Sequence, residues 1–181
     1  MRLTMQRTVL ITGGYGFLGR RCARVFKQRG WRVVGLGHGR WLDSQASAQG
    51  YDQWIEADVS LAGLGSVTGR LDAVAHCASN GSVPQSLAQP LEAFDRTVAS
   101  TAALLEHLRL HAPEAVVVYP SSAAVYGAAE DRPLCEDDTP NPVSPYGFHK
   151  KMVEDLLQAH VKCFGLRSPS SSRSGRRCSR A

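Results

Sequence analysis

Residues 8–19 read TVLITGGYGFLG. The first five, Thr8–Thr12, form a short apolar run rich in β-branched side chains, the pattern of a strand buried on both faces. Gly13, Gly16 and Gly19 follow at a spacing of three. Residues 17–29 then carry a helical period, with Leu18, Cys22, Val25 and Phe26 three and four apart, and Gly30 closes the run. Glycines between a strand and a helix serve a physical purpose. They allow a turn tight enough to aim backbone N–H groups and the helix N-terminus at a pyrophosphate, and the last lets helix and strand pack closely. A lone triplet would suit any Gly-rich turn, and the flanking strand and helix are what favour dinucleotide binding.

Outward from this stretch, strands are predicted at 32–36, 53–57, 72–76 and 115–119. Residues 90–110 are predicted as one long amphipathic helix with Leu91, Phe94, Val98, Thr101, Leu105 and Leu108 on one face. A last helix is predicted over Pro145–Phe164, with Val153, Leu156, Leu157 and Val161 inward. Strands alternating with helices imply parallel strands joined by right-handed crossovers. The fold class is therefore α/β, a doubly wound parallel sheet of Rossmann type that binds ligands at the carboxyl ends of its strands.

In such sheets the second strand usually ends in an acid that holds the ribose 2′-hydroxyl. Here that place is Gly37, followed by His38, Gly39 and Arg40. With no carboxylate to repel it and Arg40 able to pair bidentately, a 2′-phosphate becomes tolerable, so NADP is favoured over NAD. The same arginine equally suits a solvated loop. Asp58, after the third strand, is placed to accept a hydrogen bond from the adenine amino group or to sit in a solvated turn.

Charge separates the body from its end. The chain of 181 residues has 21 Lys and Arg against 16 Asp and Glu, and five of those arginines lie after Gly165, where no acid occurs. A neutral body argues against a nucleic-acid partner, which would need a basic face. No apolar run is long enough to cross a bilayer, so no membrane partner is expected and the chain reads as cytoplasmic. Cys22, Cys77, Cys135, Cys163 and Cys178 are odd in number and widely spaced, indicating neither a disulfide framework nor a metal site.

Ser121 and Ser122 follow the fifth strand, at an end where ligands bind. Tyr146 and Lys150 are four apart, so they project from one helix face. An ammonium near a phenol favours the phenolate, which suits Tyr146 to general base or acid work. A serine hydroxyl close by can hold a substrate oxygen.

Together, TGGYGFLG, DAVAHCAS, SSAAVYG and SPYGFHK resemble the extended short-chain dehydrogenase/reductase family, in its sugar-nucleotide epimerase/dehydratase group and most closely the UDP-galactose-4-epimerase-like sequences. The resemblance implies that Tyr146 is the catalytic base, that Lys150 positions the nicotinamide ribose and tunes Tyr146, and that Ser122 is the third catalytic residue. It implies cofactor contacts from Gly13, Tyr15, Gly16, Phe17, Leu18 and Gly19 in the loop, from Asp58 and Val59 at the adenine, and from His76, Cys77 and Ala78 beside the pyrophosphate; His38 and Arg40 are cofactor-binding candidates by their position after the second strand. A nucleotide sugar is the implied substrate, and a homodimer is compatible with it. Ala123 and Ala124 stand where 4,6-dehydratases of the group carry an Asp-Glu pair, so dehydration is not expected. Thr97 replaces an asparagine found in many relatives. The missing acid at strand two leaves an NADPH-dependent keto-sugar reductase, or a non-catalytic NAD(P)-binding module, as the alternative.

The resemblance runs to about Gly165, and a further strand and a substrate domain are expected to follow in such proteins. The dinucleotide-binding domain is thus assigned to residues 1–165, with its sheet incomplete at the C-terminal end, and 166–181 to a disordered basic Ser/Arg tail. Written in suitable codons, the Ser-Pro-Ser-Ser-Ser of residues 168–172 reads Val-Ala-Val-Ile-Ile one base earlier, so the tail is expected to be a frameshift. The rival expectation is a native segment that binds RNA or an anionic membrane. Weak or no turnover is expected of these 181 residues.

Overall fold

The computed structural model describes residues 6–169 except 80, 129–132 and 136. Five parallel strands, β1 (Thr8–Thr12), β2 (Arg32–Gly37), β3 (Gln53–Glu56), β4 (Ala73–His76) and β5 (Val116–Val118), lie in the order β3-β2-β1-β4-β5. This is the doubly wound order, and the chain reverses direction across the sheet between β1 and β4.

Strand β1 is buried along its whole length because the sheet is covered on both faces. Its side chains alternate between two cores, as strand geometry requires. Leu10 joins Val34, Leu36, Val74 and Val117 beneath Leu104, Leu105, Leu108, Val153 and Leu157. Val9 and Ile11 join Val33 and Ala75 beneath Ala23 and Ala46. The first core is built on α6 (Ser100–His111) and α7 (Pro145–Phe164), the second on α1 (Phe17–Gln28) and α2 (Asp43–Ala48), the remaining short helices being α3 (Leu61–Leu64), α4 (Val83–Ala88) and α5 (Pro90–Phe94).

Several expectations need correction. The long helix is not continuous: between α5 and α6 the residues Asp95–Ala99 form a π turn. A wider turn rotates what precedes it by about the 100° that one residue subtends. Val98, Thr101, Leu105 and Leu108 are buried as expected, whereas Leu91 and Phe94, 73% and 36% exposed, have turned out of the stripe. In α1, Leu18 and Val25 are exposed, and it is the small Gly19 and Ala23 that face the sheet. The Gly-rich stretch after residue 60 holds α3, capped by Ser60, whose hydroxyl accepts from the Gly63 amide at 3.1 Å.

The start of the assigned tail is ordered against the sheet. Arg167 forms a parallel bridge with Val116, its carbonyl accepts from the Val117 amide at 2.8 Å, and Leu166 and Ser168 are buried. Residues 170–181, the rest of that assignment, lie outside the described residues. Among the described residues no helix is long and apolar enough to cross a membrane, and no cluster of ligands could hold a metal ion.

Leu10 sits at the centre of the larger core and is fully buried. Leu10→Ala is expected to lower unfolding free energy by about 2–5 kcal/mol, read as a fall in the urea midpoint at unchanged slope.

Candidate functional site

The site gathers where β1 and β4 part. Gly13 has φ 63°, and a Cβ placed on it would stand 2.6 Å from the Ala78 nitrogen. A Cβ on Gly19 would stand 2.5 Å from the Gly13 carbonyl oxygen. The loop is therefore pressed between the end of β4 and the first turn of α1, with Gly16 as N-cap. A side chain at Gly13 or Gly19 would force the turn away from the end of β4 or from the start of α1, so their absence keeps the turn tight enough to aim its amides and the helix N-terminus at a pyrophosphate, and the residues present fit a dinucleotide. Tyr15, Phe17 and Leu18 line the outer side of the loop, all exposed.

Beyond the loop, His38 and Arg40 are each paired to an acid near the end of β3. His38 Nε2 lies 2.9 Å from Asp58 Oδ1, and Arg40 Nε lies 3.2 Å from Glu56 Oε2. Arg40, 87% exposed, makes this one contact through Nε, a surface pair of modest strength. Val59 is half-buried against the larger core. Tyr15, Trp41, Tyr51 and Trp54 form an aromatic cluster beneath this region, with Tyr15 and Trp41 centroids 4.6 Å apart.

At the end of β4 the expected pyrophosphate neighbours divide. Cys77 and Ala78 lie against the glycine loop, while the His76 side chain is withdrawn, at 1% exposure. The Thr101 hydroxyl donates to the Thr97 carbonyl at 2.5 Å, so its oxygen accepts from His76 Nε2 at 2.9 Å. Thr12 Oγ1 then donates to His76 Nδ1 at 2.6 Å and accepts from the Ala78 amide at 3.4 Å. Only a neutral imidazole completes this chain, and burial, aided by the Lys150 charge, pushes His76 down to about 3. Its role is to tie β1, β4 and α6 together under the loop. Cys77 beside it is held as a thiol, pushed up to about 12 chiefly by burial.

The catalytic candidates converge from two elements. Ser122 caps a 3-10 turn, Ala123–Tyr126, its hydroxyl accepting from the Ala124 amide at 3.2 Å. Ser144 caps α7, accepting from the Gly147 amide at 3.2 Å. A side chain at Gly147 would collide with the Ala124 carbonyl, so its lack of one lets the two turns meet. That contact brings Ser122 to the helix turn bearing Tyr146 and Lys150.

Lys150 is 3% exposed and threads inward. Its Nζ donates to Ser79 Oγ and to the Pro120 carbonyl, each at 3.2 Å, and stands 4.5 Å from the Tyr119 ring centroid and 5.6 Å from that of Tyr146. Burial brings Lys150 down to about 8. Ser79 and Tyr119 were not singled out by the sequence reading. Their only signal was position, each just beyond or at the end of a strand.

A model of the NAD dependent epimerase/dehydratase family matches residues 9–170. The chain belongs to that family. It is 33% identical over 164 residues to a UDP-glucose 4-epimerase of Lactobacillus helveticus, covering 88% of this chain and 48% of the relative. Another UDP-glucose 4-epimerase, from Azospirillum brasilense, is 35% identical, with 88% and 46% covered. The chain spans about half the length of these relatives. A solved UDP-glucose 4-epimerase from Brucella ovis in complex with NAD superposes with a TM-score of 0.77 at 28% identity, over 90% of this chain and 50% of that one. The enzyme from Bifidobacterium longum in complex with NAD+ and UDP gives 0.77 at 27%, over 89% and 51%. The NAD in these neighbours leaves the expected NADP preference without support.

Because His76 is held neutral, the unfolded chain binds a proton on it below about pH 6.5 and the folded chain does not until about 3. Stability therefore falls as pH falls through that window, by up to about 1.4 kcal/mol per pH unit. Urea midpoints from pH 7 to pH 4 are expected to show this slope, reduced in His76→Gln.

Proposed function

We propose that this protein carries the dinucleotide-binding and proton-transfer half of a nucleotide-sugar 4-epimerase that uses NAD. The observation that supports it most is the buried Lys150, tied to Ser79 and Pro120 with its Nζ 5.6 Å from the Tyr146 ring centroid, beside a loop with no room for side chains. A bound nicotinamide dinucleotide supplies the hydride acceptor and donor. Tyr146 takes the proton from the sugar hydroxyl as that carbon is oxidised and returns it on reduction. Ser122 holds the same oxygen. Lys150, anchored by Pro120 and Ser79, places a positive charge beneath the tyrosine and favours its phenolate.

The substrate class follows the family, and a uridine diphosphate sugar is the proposed occupant. Residues 1–165 form the dinucleotide-binding unit in this reading. The protein further pairs as a homodimer through Leu91 on α5 and Phe148 and Met152 on α7, exposed apolar residues on elements that pack together.

Three measurements test the proposal. Tyr146→Phe is expected to lower whatever slow epimerisation of a UDP-sugar these residues support by about 10²-fold or more while NAD binding stays within about twofold. Loss of NAD binding in step with activity would count against the assignment. Since Lys150 carries its charge below about pH 8 and sheds it above, wild-type turnover should decline as pH rises past that value. Sedimentation should show a dimer that Leu91→Glu converts to a monomer.

A further inference from the structure

The end of β2 lacks the acid that a ribose calls for, yet a carboxylate stands one strand away at the same level. Gly37 pairs in register with Glu56 of β3. Side chains two apart along a strand share a face, so Gly35 goes with Gly37 and Trp54 with Glu56. A Cβ on Gly35 would meet Trp54 at 2.6 Å, so these two faces are one. A Cβ on Gly37 would point at Gly13 Cα, Gly14 N and Trp54, at 3.5–3.6 Å. The vacant side-chain position at 37 thus faces the glycine loop on the side where Glu56 projects.

The intervening loop is fixed so that this carboxylate is presented. Trp54 Nε1 donates to the Gly39 carbonyl at 2.9 Å, and the Tyr15 ring lies flush with Gly39, where a Cβ would approach within 2.5 Å. Arg40 bonds Glu56 Oε2 from the outer side and leaves the carboxylate a second oxygen to offer. Glu56 is 48% exposed, open to a ligand.

We propose that Glu56 does the work of the missing acid: its carboxylate accepts the hydrogen bond from the adenosine ribose 2′-hydroxyl, and it selects against a 2′-phosphate by charge and by holding Arg40. This rests on the dinucleotide-binding reading of the site. A 2′-phosphate would face a carboxylate and would have to take Arg40 from it, so the selection is for the unphosphorylated ribose.

The test is titration of NAD and NADP against the wild type, Glu56→Gln and the double variant Glu56→Gln/Gly37→Asp, followed by tryptophan fluorescence, with urea midpoints to confirm folding. Glu56→Gln is expected to weaken NAD about tenfold, as loss of a hydrogen bond to a charged group would, and to move the NAD-to-NADP affinity ratio toward NADP. An aspartate at 37 meets only ordinary contacts, and the double variant should recover NAD binding to within about threefold of wild type. A ratio within twofold of wild type in Glu56→Gln, or equal weakening of both dinucleotides, would overturn the role given to Glu56. Failure of the wild type to bind either dinucleotide would instead bring down the reading of the whole site.

Discussion

Everything at this site depends on how closely the turn after β1 approaches the end of β4. A single carbon on Gly13 would strike the Ala78 amide, and one on Gly19 would strike the turn itself. Helix α1 can therefore start directly above β1 and point its amide end across the gap between β1 and β4. The hydrogen-bonded chain from Ala78 through Thr12, His76 and Thr101 to Thr97 holds that gap from below. A buried neutral histidine spanning two threonines is costly unless every polar atom is satisfied, and here each ring nitrogen has its partner.

The lysine shows a second use of burial. Removing Lys150 from water lowers its affinity for a proton, yet the Pro120 carbonyl, the Ser79 hydroxyl and the Tyr119 ring face compensate the ammonium. The charge sits in a fixed place beneath Tyr146 because three groups from β4, β5 and their loops converge on it. Ser79 beyond β4 and the adjacent Tyr119 and Pro120 beyond β5 are far apart in sequence, and the parallel sheet is what delivers them to one edge.

Strands and the last helix were legible in the sequence because their signals are local: the β-branched run at Thr8–Thr12, and the helical period of Val153, Leu156, Leu157 and Val161 in α7. The glycine loop and the Tyr146–Lys150 spacing were legible for the same reason. The π turn at Asp95–Ala99 was not, since a helical period carries no mark of where an extra residue is absorbed. Nor was the pairing of Arg40 with Glu56, sixteen residues on, which exists only because β2 and β3 lie side by side. Reading Gly37 alone suggested an absent acid, and strand register shows a carboxylate in its neighbourhood.

The short segment Leu166–Ser168 has a consequence for the sheet as a material. A strand at the border of a parallel sheet offers unpaired amides that other chains can template upon. The Arg167 carbonyl occupies the Val117 amide, the parallel bridge to Val116 aligns the segment with β5, and the Arg167 guanidinium closes on Glu114 at 2.5 Å. Three residues thus cover part of the β5 edge among the described residues, beside Val118, which remains 49% exposed.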